Sequence, residues 1–167
     1  MMPRGYFEAC ERQVDLRQFS YGTTSAAVTG MALVTGLDAA SSSRVTVIAS
    51  LLVFAVADNL TDSLSIHVYQ ESERLDTHAA FRATLTNYAT RLGVSVGFVL
   101  IVMLAPAAIS AWVALVWGGF MLGTMTALVA HERGAPIATE IGKHFALAAV
   151  VVIVSKGIGT WLVRTLS

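Results

Sequence analysis

A chain of 167 residues that is 55% hydrophobic and 13% charged, with Lys+Arg 11 set against Asp+Glu 11, lacks both the basic excess of a nucleic-acid binder and the charged surface of a soluble domain. Its single cysteine, Cys10, excludes an intrachain disulfide and has no partner at the spacing of a zinc site. Apolar runs of about twenty residues predict an all-α polytopic membrane helix bundle, and the absence of an HExxH motif or a nucleophile–base pairing speaks against an enzyme.

Arg4, Glu8, Glu11, Arg12, Asp15 and Arg17 interrupt any apolar core that a secretory signal would need. Tyr6, Phe7, Cys10 and Val14 recur at helical spacing, so residues 1–19 are expected to form a short amphipathic helix on the membrane surface. Residues 20–167 then make a five-span domain, with spans at about 20–37, 45–66 extending to 73, 88–105, 108–130 and 143–164.

The first span is rich in small and hydroxyl residues, from Gly22, Thr23 and Thr24 to Gly30 and Gly36, which allow close helix packing. Thr24 and Ser25 also place neutral oxygens where an ion could pass, with packing as the commoner role.

No Gly or Pro interrupts Val45–Glu73, so it reads as one helix, apolar at first and ionisable from its middle. At roughly 100° per residue, Asp58, Asp62, Ser65, Tyr69 and Glu73 fall on one stripe, with Asn59, His67 and Glu71 beside it. A carboxylate at the bilayer centre costs on the order of 3 kcal/mol and needs a partner, a cavity or a cation. A stripe of oxygen atoms suits a hard or borderline divalent cation, which makes Asp58 and Asp62 the leading ligand candidates.

Arg74–Arg91 reads as a polar connection that stays helical at both ends. Pro106 marks a tight turn between the third and fourth spans, and Trp112 and Trp117 are expected as interface anchors. The pairs Gly93/Gly97, Gly119/Gly123 and Ser155/Gly159 have the spacing of small-residue helix contacts. Lys156 lies inside the fifth span, where an Asp58–Lys156 pair would satisfy both charges without an ion.

Positive residues crowd one side of a five-span layout. Arg4, Arg12, Arg17, Arg74, Arg82, Arg91, Arg133 and Lys143 oppose Arg44 and Arg164, so the N-terminus is expected in the cytoplasm of a bacterium and the C-terminus outside its inner membrane. Glu71, Glu73, His131, Glu132, Glu140 and His144 then gather at the cytoplasmic mouth, where His and carboxylate suit Fe(II), Mn(II) or Zn(II). Glu140 and His144 stand one helical turn apart.

FSYGTTSAAVTGMALVTGL at Phe19–Leu37 and ADNLTDSLSIHVYQESE at Ala57–Glu73 resemble the first two spans of the vacuolar iron transporter family, in its small prokaryotic form. Ser63 and Tyr69 fall on the family's serine and tyrosine. Ser25 stands near the family's acidic residue in span one, Leu64 and Val68 stand for its Met and Glu, and its long acidic helices are cut down to Arg74–Arg91. The resemblance implies a homodimeric antiporter exchanging Fe2+ or Mn2+ against protons, with no permanent cofactor.

The expected function is therefore export of a divalent transition metal from the cytoplasm along the contact of two second spans. Asp58, Asp62, Ser65, Tyr69, Asn59 and Ser25 would line the path, and Asp58, Asp62, His67, Glu71, Glu73, His131, Glu132, Glu140 and His144 would bind metal. The alternative is a non-transporting assembly or regulatory subunit whose polar second helix is satisfied within the bundle.

Overall fold

The computed structural model describes residues 4–72 and 77–166, with side chains described from Phe19 onward except at 70–72, 77 and 79. Every element is helical: α1 (Arg4–Ala39), α2 (Arg44–Val53), a π-helical turn (Phe54–Asp58), α3 (Asn59–Ser72), α4 (Thr77–Leu104), α5 (Ala107–Glu132) and α6 (Ile137–Leu166). Four helical rods are long and apolar enough to cross a membrane: Arg44–Tyr69, Ala80–Leu104, Ala107–Glu132 and Ile137–Leu166.

The segment expected as a separate surface helix has no end of its own, because α1 runs unbroken from Arg4 to Ala39. No Gly or Pro falls between Tyr6 and Tyr21 to stop it. Helix α1 is also the first expected span, and it is missing from the four apolar rods. The reason is its position, since α1 packs on α4, α5 and α6 and touches α2. A helix surrounded by protein has little lipid to face, so it can carry small and hydroxyl residues in place of bulky apolar ones.

The contacts of α1 use those small residues. The Phe98 ring of α4 occupies the space a side chain at Gly30 would need, and Met31 sits over Gly118 of α5. Near its end, the Gly36 carbonyl lies against Gly159 of α6, closer than a Cβ there would allow. Ala26, Ala27, Met31 and Val34 close the core with Leu51, Phe98, Ala114 and Leu122. Among the small pairs, Gly97 receives the Trp117 ring, Gly119 and Gly123 face Phe145, and Gly93 faces open space. Trp117 is thus a packing residue rather than an interface anchor, and its buried Nε1 has no acceptor among the described residues; Trp112 is exposed.

The turns obey local chemistry. Ser43 caps α2 by accepting a bond from the Thr46 amide (3.2 Å). Arg44 donates to the Ala105 carbonyl and ties the start of α2 to the α4–α5 turn. Pro106 precedes α5, where a missing N–H costs nothing. Helix α5 ends with Gly134 at φ 63°, and the Ala135 amide bonds back to the Ala130 carbonyl at 2.9 Å, a left-handed stop that turns the chain into α6.

Paired contacts give the directions. Gly22 meets Asn87 and Arg91 while Gly30 meets Phe98, so α1 and α4 run parallel. Asn59 meets Ser95 while Ser63 meets Asn87, so α3 and α4 run antiparallel. Helix α3 packs mainly on α4, which leaves Leu60, Leu64 and Val68 exposed on its far side.

Candidate functional site

The second rod stays helical through its polar half, as its sequence predicts, but with a π-helical turn at Phe54–Asp58 where apolar gives way to ionisable. Such a turn shifts the backbone ladder by one residue and recurs at functional sites. Asn59 follows it directly. Its amide Nδ2 donates to the Ala55 carbonyl at 3.0 Å and to Ser95 Oγ at 3.1 Å.

Asn59 opens a buried polar ladder between α3 and α4. Successive turns of α4 supply Asn87, Arg91 and Ser95, and facing turns of α3 supply Ser63 and Asn59, all nearly sealed from solvent. Asn87 Nδ2 donates to Ser63 Oγ (3.0 Å) and Ser95 Oγ donates to the Arg91 carbonyl (2.8 Å). The four-residue spacing on both helices makes this register possible. Further along, Thr84 and His67 share a hydrogen bond of 3.3 Å, and Phe81 meets the His67 ring edge-on.

Arg91 is the centre of the ladder. It is 2% exposed, and its guanidinium uses three nitrogens on three acceptors. Nε donates to Asn59 Oδ1 (2.9 Å), one terminal nitrogen to Asp62 Oδ2 (2.8 Å), and the other to Asp58 Oδ2 (3.1 Å). Only the rigid fork of arginine serves three acceptors set this way. This corrects two expectations. Arg91 belongs inside the bundle and not to a cytoplasmic loop, and the partner of Asp58 is Arg91, not Lys156, which is exposed on α6.

The aspartates are held but not sealed. Asp58 is 58% exposed and Asp62 31%, both toward the uncovered side of α3. Each gives Oδ2 to Arg91, so each keeps Oδ1 for another partner. With both carboxylates ionised, two negative charges meet one positive charge.

The other expected residues disperse. Ser65 Oγ donates to the Thr61 carbonyl (2.9 Å) beside exposed Tyr69, and both lie on the open face with Asp58. Asn59 is buried, with both ends of its amide engaged. The Glu71 side chain and all of Glu73 lie outside the described residues. His131 and Glu132 are exposed at the end of α5.

Ser25 and His144 line a different cavity, on the α5–α6 side of α1. Glu140 there takes a bond from Lys143 Nζ (2.7 Å), and His144 Nδ1 donates to the Glu140 carbonyl (2.8 Å). Among the described residues, no three of His, Cys, Asp and Glu assemble where they could hold a metal ion. The expected ligands separate because α3 packs on α4 whereas α6 packs on α1 and α5, which no linear spacing reveals.

Arg91 and Asn87 themselves escaped the sequence reading. The signal was present as an Asn–x3–Arg–x3–Ser repeat at Asn87, Arg91 and Ser95 on one helical stripe, facing an equal stripe in Asn59 and Ser63.

Fold and site together define an all-helical integral membrane protein with an Asp58–Arg91–Asp62 cluster where the rod Arg44–Tyr69 meets α4. No protein-family model, curated protein or solved structure matches the chain.

Proposed function

We propose that the chain is one subunit of a homodimeric, five-span secondary transporter that moves a divalent transition-metal cation, Fe2+ or Mn2+, out of a bacterial cytoplasm in exchange for protons. The observation that carries the reading is the charge imbalance at Asp58, Arg91 and Asp62, two carboxylates on one guanidinium with two spare oxygens on a face that no helix among the described residues covers. In a bilayer such a face needs water, a partner surface or a cation. A second copy of α3 across a wet path would supply the first two, and the transported ion the third. Helix α1 is then the fifth span, shielded from lipid by its neighbours.

Arg91 gives the site an internal competitor. It bonds one oxygen of each carboxylate when no ion is present. An arriving divalent cation takes the spare oxygens and weakens the guanidinium bonds. Protons from the far side then compete for the same oxygens and release the metal. Ser65 and Tyr69 extend the polar face toward the inner end.

The test is flux. Purified protein in proteoliposomes should move Mn2+ down its gradient with opposite proton movement, and Asp62→Asn should abolish both while elution and helicity stay unchanged. Mn2+ flux in Asp62→Asn equal to that of the unaltered protein would overturn the reading.

One observation favours a non-transporting assembly or regulatory subunit instead. Arg91 gives both aspartates a partner within the chain, so no ion is required for folding. That reading expects no Mn2+ or Fe2+ flux above empty liposomes.

A further inference from the structure

Between α1, α5 and α6 lies a cavity of about 90 Å3 lined by Ser20, Thr24, Thr126, Arg133, Glu140 and His144. At roughly 30 Å3 per water it holds a few waters or one small oxyanion. It opens beside a larger one, about 350 Å3, that shares Ser20, Thr24 and His144 and adds Tyr21. It stands apart from the Asp58–Arg91–Asp62 cluster, on the other side of α1.

Its polar groups are unspent. Thr126 is 6% exposed, yet among the described residues its hydroxyl has no hydrogen-bond partner, and neither do those of Ser20 and Thr24. Helical Ser and Thr usually turn back on a carbonyl of the preceding turn, as Thr23 does on Phe19 (2.9 Å). Three hydroxyls left free around one cavity are donors awaiting an acceptor.

The charges indicate which acceptor. The Glu140 carboxylate is engaged by Lys143, whereas Arg133 has no ion pair among the described residues. With Lys143 set beside Glu140 from outside the lining, two cations and one carboxylate stand at the cavity, a net positive charge. His144 directs Nδ1 to a carbonyl, which leaves Nε2 on the ring's other side. Exposed Phe19 and Tyr21 flank Ser20 in the chain and Phe145 follows His144, and Tyr is common at the headgroup boundary. Basic pockets between spans at that depth bind phosphorylated headgroups.

We propose that this cavity binds a phosphate group, with Arg133 as the charged anchor and the Ser20, Thr24 and Thr126 hydroxyls as donors to its oxygens. Its source is a glycerophospholipid headgroup, the larger cavity receiving the glycerol end, or free phosphate.

Delipidated full-length protein in detergent tests this in two arms. Native mass spectrometry compares retention of phosphatidylglycerol with that of diacylglycerol bearing the same acyl chains. Phosphorus NMR follows titration with inorganic phosphate. Retention of phosphatidylglycerol over diacylglycerol, reduced about tenfold by Arg133→Gln and by Thr126→Val, identifies the lipid as the source. Saturable binding of inorganic phosphate with the same losses, and no lipid preference, identifies free phosphate. Glu140→Gln should strengthen binding in either case, by removing a carboxylate from the lining. No phosphate preference in either arm, or one unchanged in Arg133→Gln, overturns the proposal, as does Mn2+ binding that Glu140→Gln abolishes. Arg133 is exposed, so its variant decides the matter should Thr126→Val fail to fold.

Discussion

Arg91 Nη1 lies 2.8 Å from Asp62 Oδ2, a bond between positions 29 residues apart that clamps α4 to α3. Arg91 is buried and Asp62 half-buried, so the pair is costly to break from one side only. Arg91→Met should therefore destabilise the protein by about 3 kcal/mol, because it leaves two carboxylates and Asn59 without their donor. Thermal unfolding in detergent measures this. The triple variant Arg91→Met, Asp58→Asn, Asp62→Asn should recover part of the loss, and no recovery would show that Arg91 acts through packing alone.

Gly36 and Gly159 touch backbone to backbone, so the α1–α6 crossing depends on the missing side chain. Gly159→Ala should cost about 1–3 kcal/mol by forcing the helices apart. Gly157→Ala, two positions away with open space around it, should be neutral or stabilising by up to about 1 kcal/mol through helix propensity. Equal melting temperatures for the two variants would contradict the packing.

Ser63 Oγ accepts from buried Asn87 Nδ2, and Asn87 Oδ1 already lacks a donor among the described residues. Ser63→Ala would leave both ends of that amide unpaired, at about 1–3 kcal/mol. Asn87→Leu in the Ser63→Ala background should cost less than the two single losses added together, since it removes the stranded amide. A double-mutant cycle by thermal unfolding reads the difference.

The uncovered face of α3 carries Leu60, Leu64 and Val68 beside Asp58. If a second copy covers it, Leu64→Cys in a Cys10→Ser background should form disulfide-linked dimers in membranes under mild oxidation. Phe120→Cys, exposed on α5, serves as the control and should not. Efficient linkage at Phe120 and none at Leu64 would move the dimer contact away from the second rod.

Much of this architecture was open to reading before any coordinates. Helicity, the rods near Val45–Glu73 and Trp112–Ala130, and the Pro106 turn all depend on residues within a turn or two of one another. Local hydropathy and helical period suffice for such features. The small residues of Phe19–Leu37 likewise foretold close packing, although not that α1 would lie at the middle of the bundle. Its low apolarity is a consequence of that position, since a helix wrapped by protein escapes the demand that lipid makes.

What faces what was decided only by tertiary structure. The carboxylates of Asp58 and Asp62 could be seen to need a counter-charge, and a metal ion, or Lys156 for Asp58, was the partner the letters suggested, while Arg91 read as part of a loop. The antiparallel register of α3 on α4 chose Arg91, and the packing of α6 on α1 and α5 kept Glu140 and His144 from joining the aspartates. Each helix writes its own stripe of charges every 3.6 residues, but the rotation and offset that bring two stripes together come from side chains packing across the whole bundle.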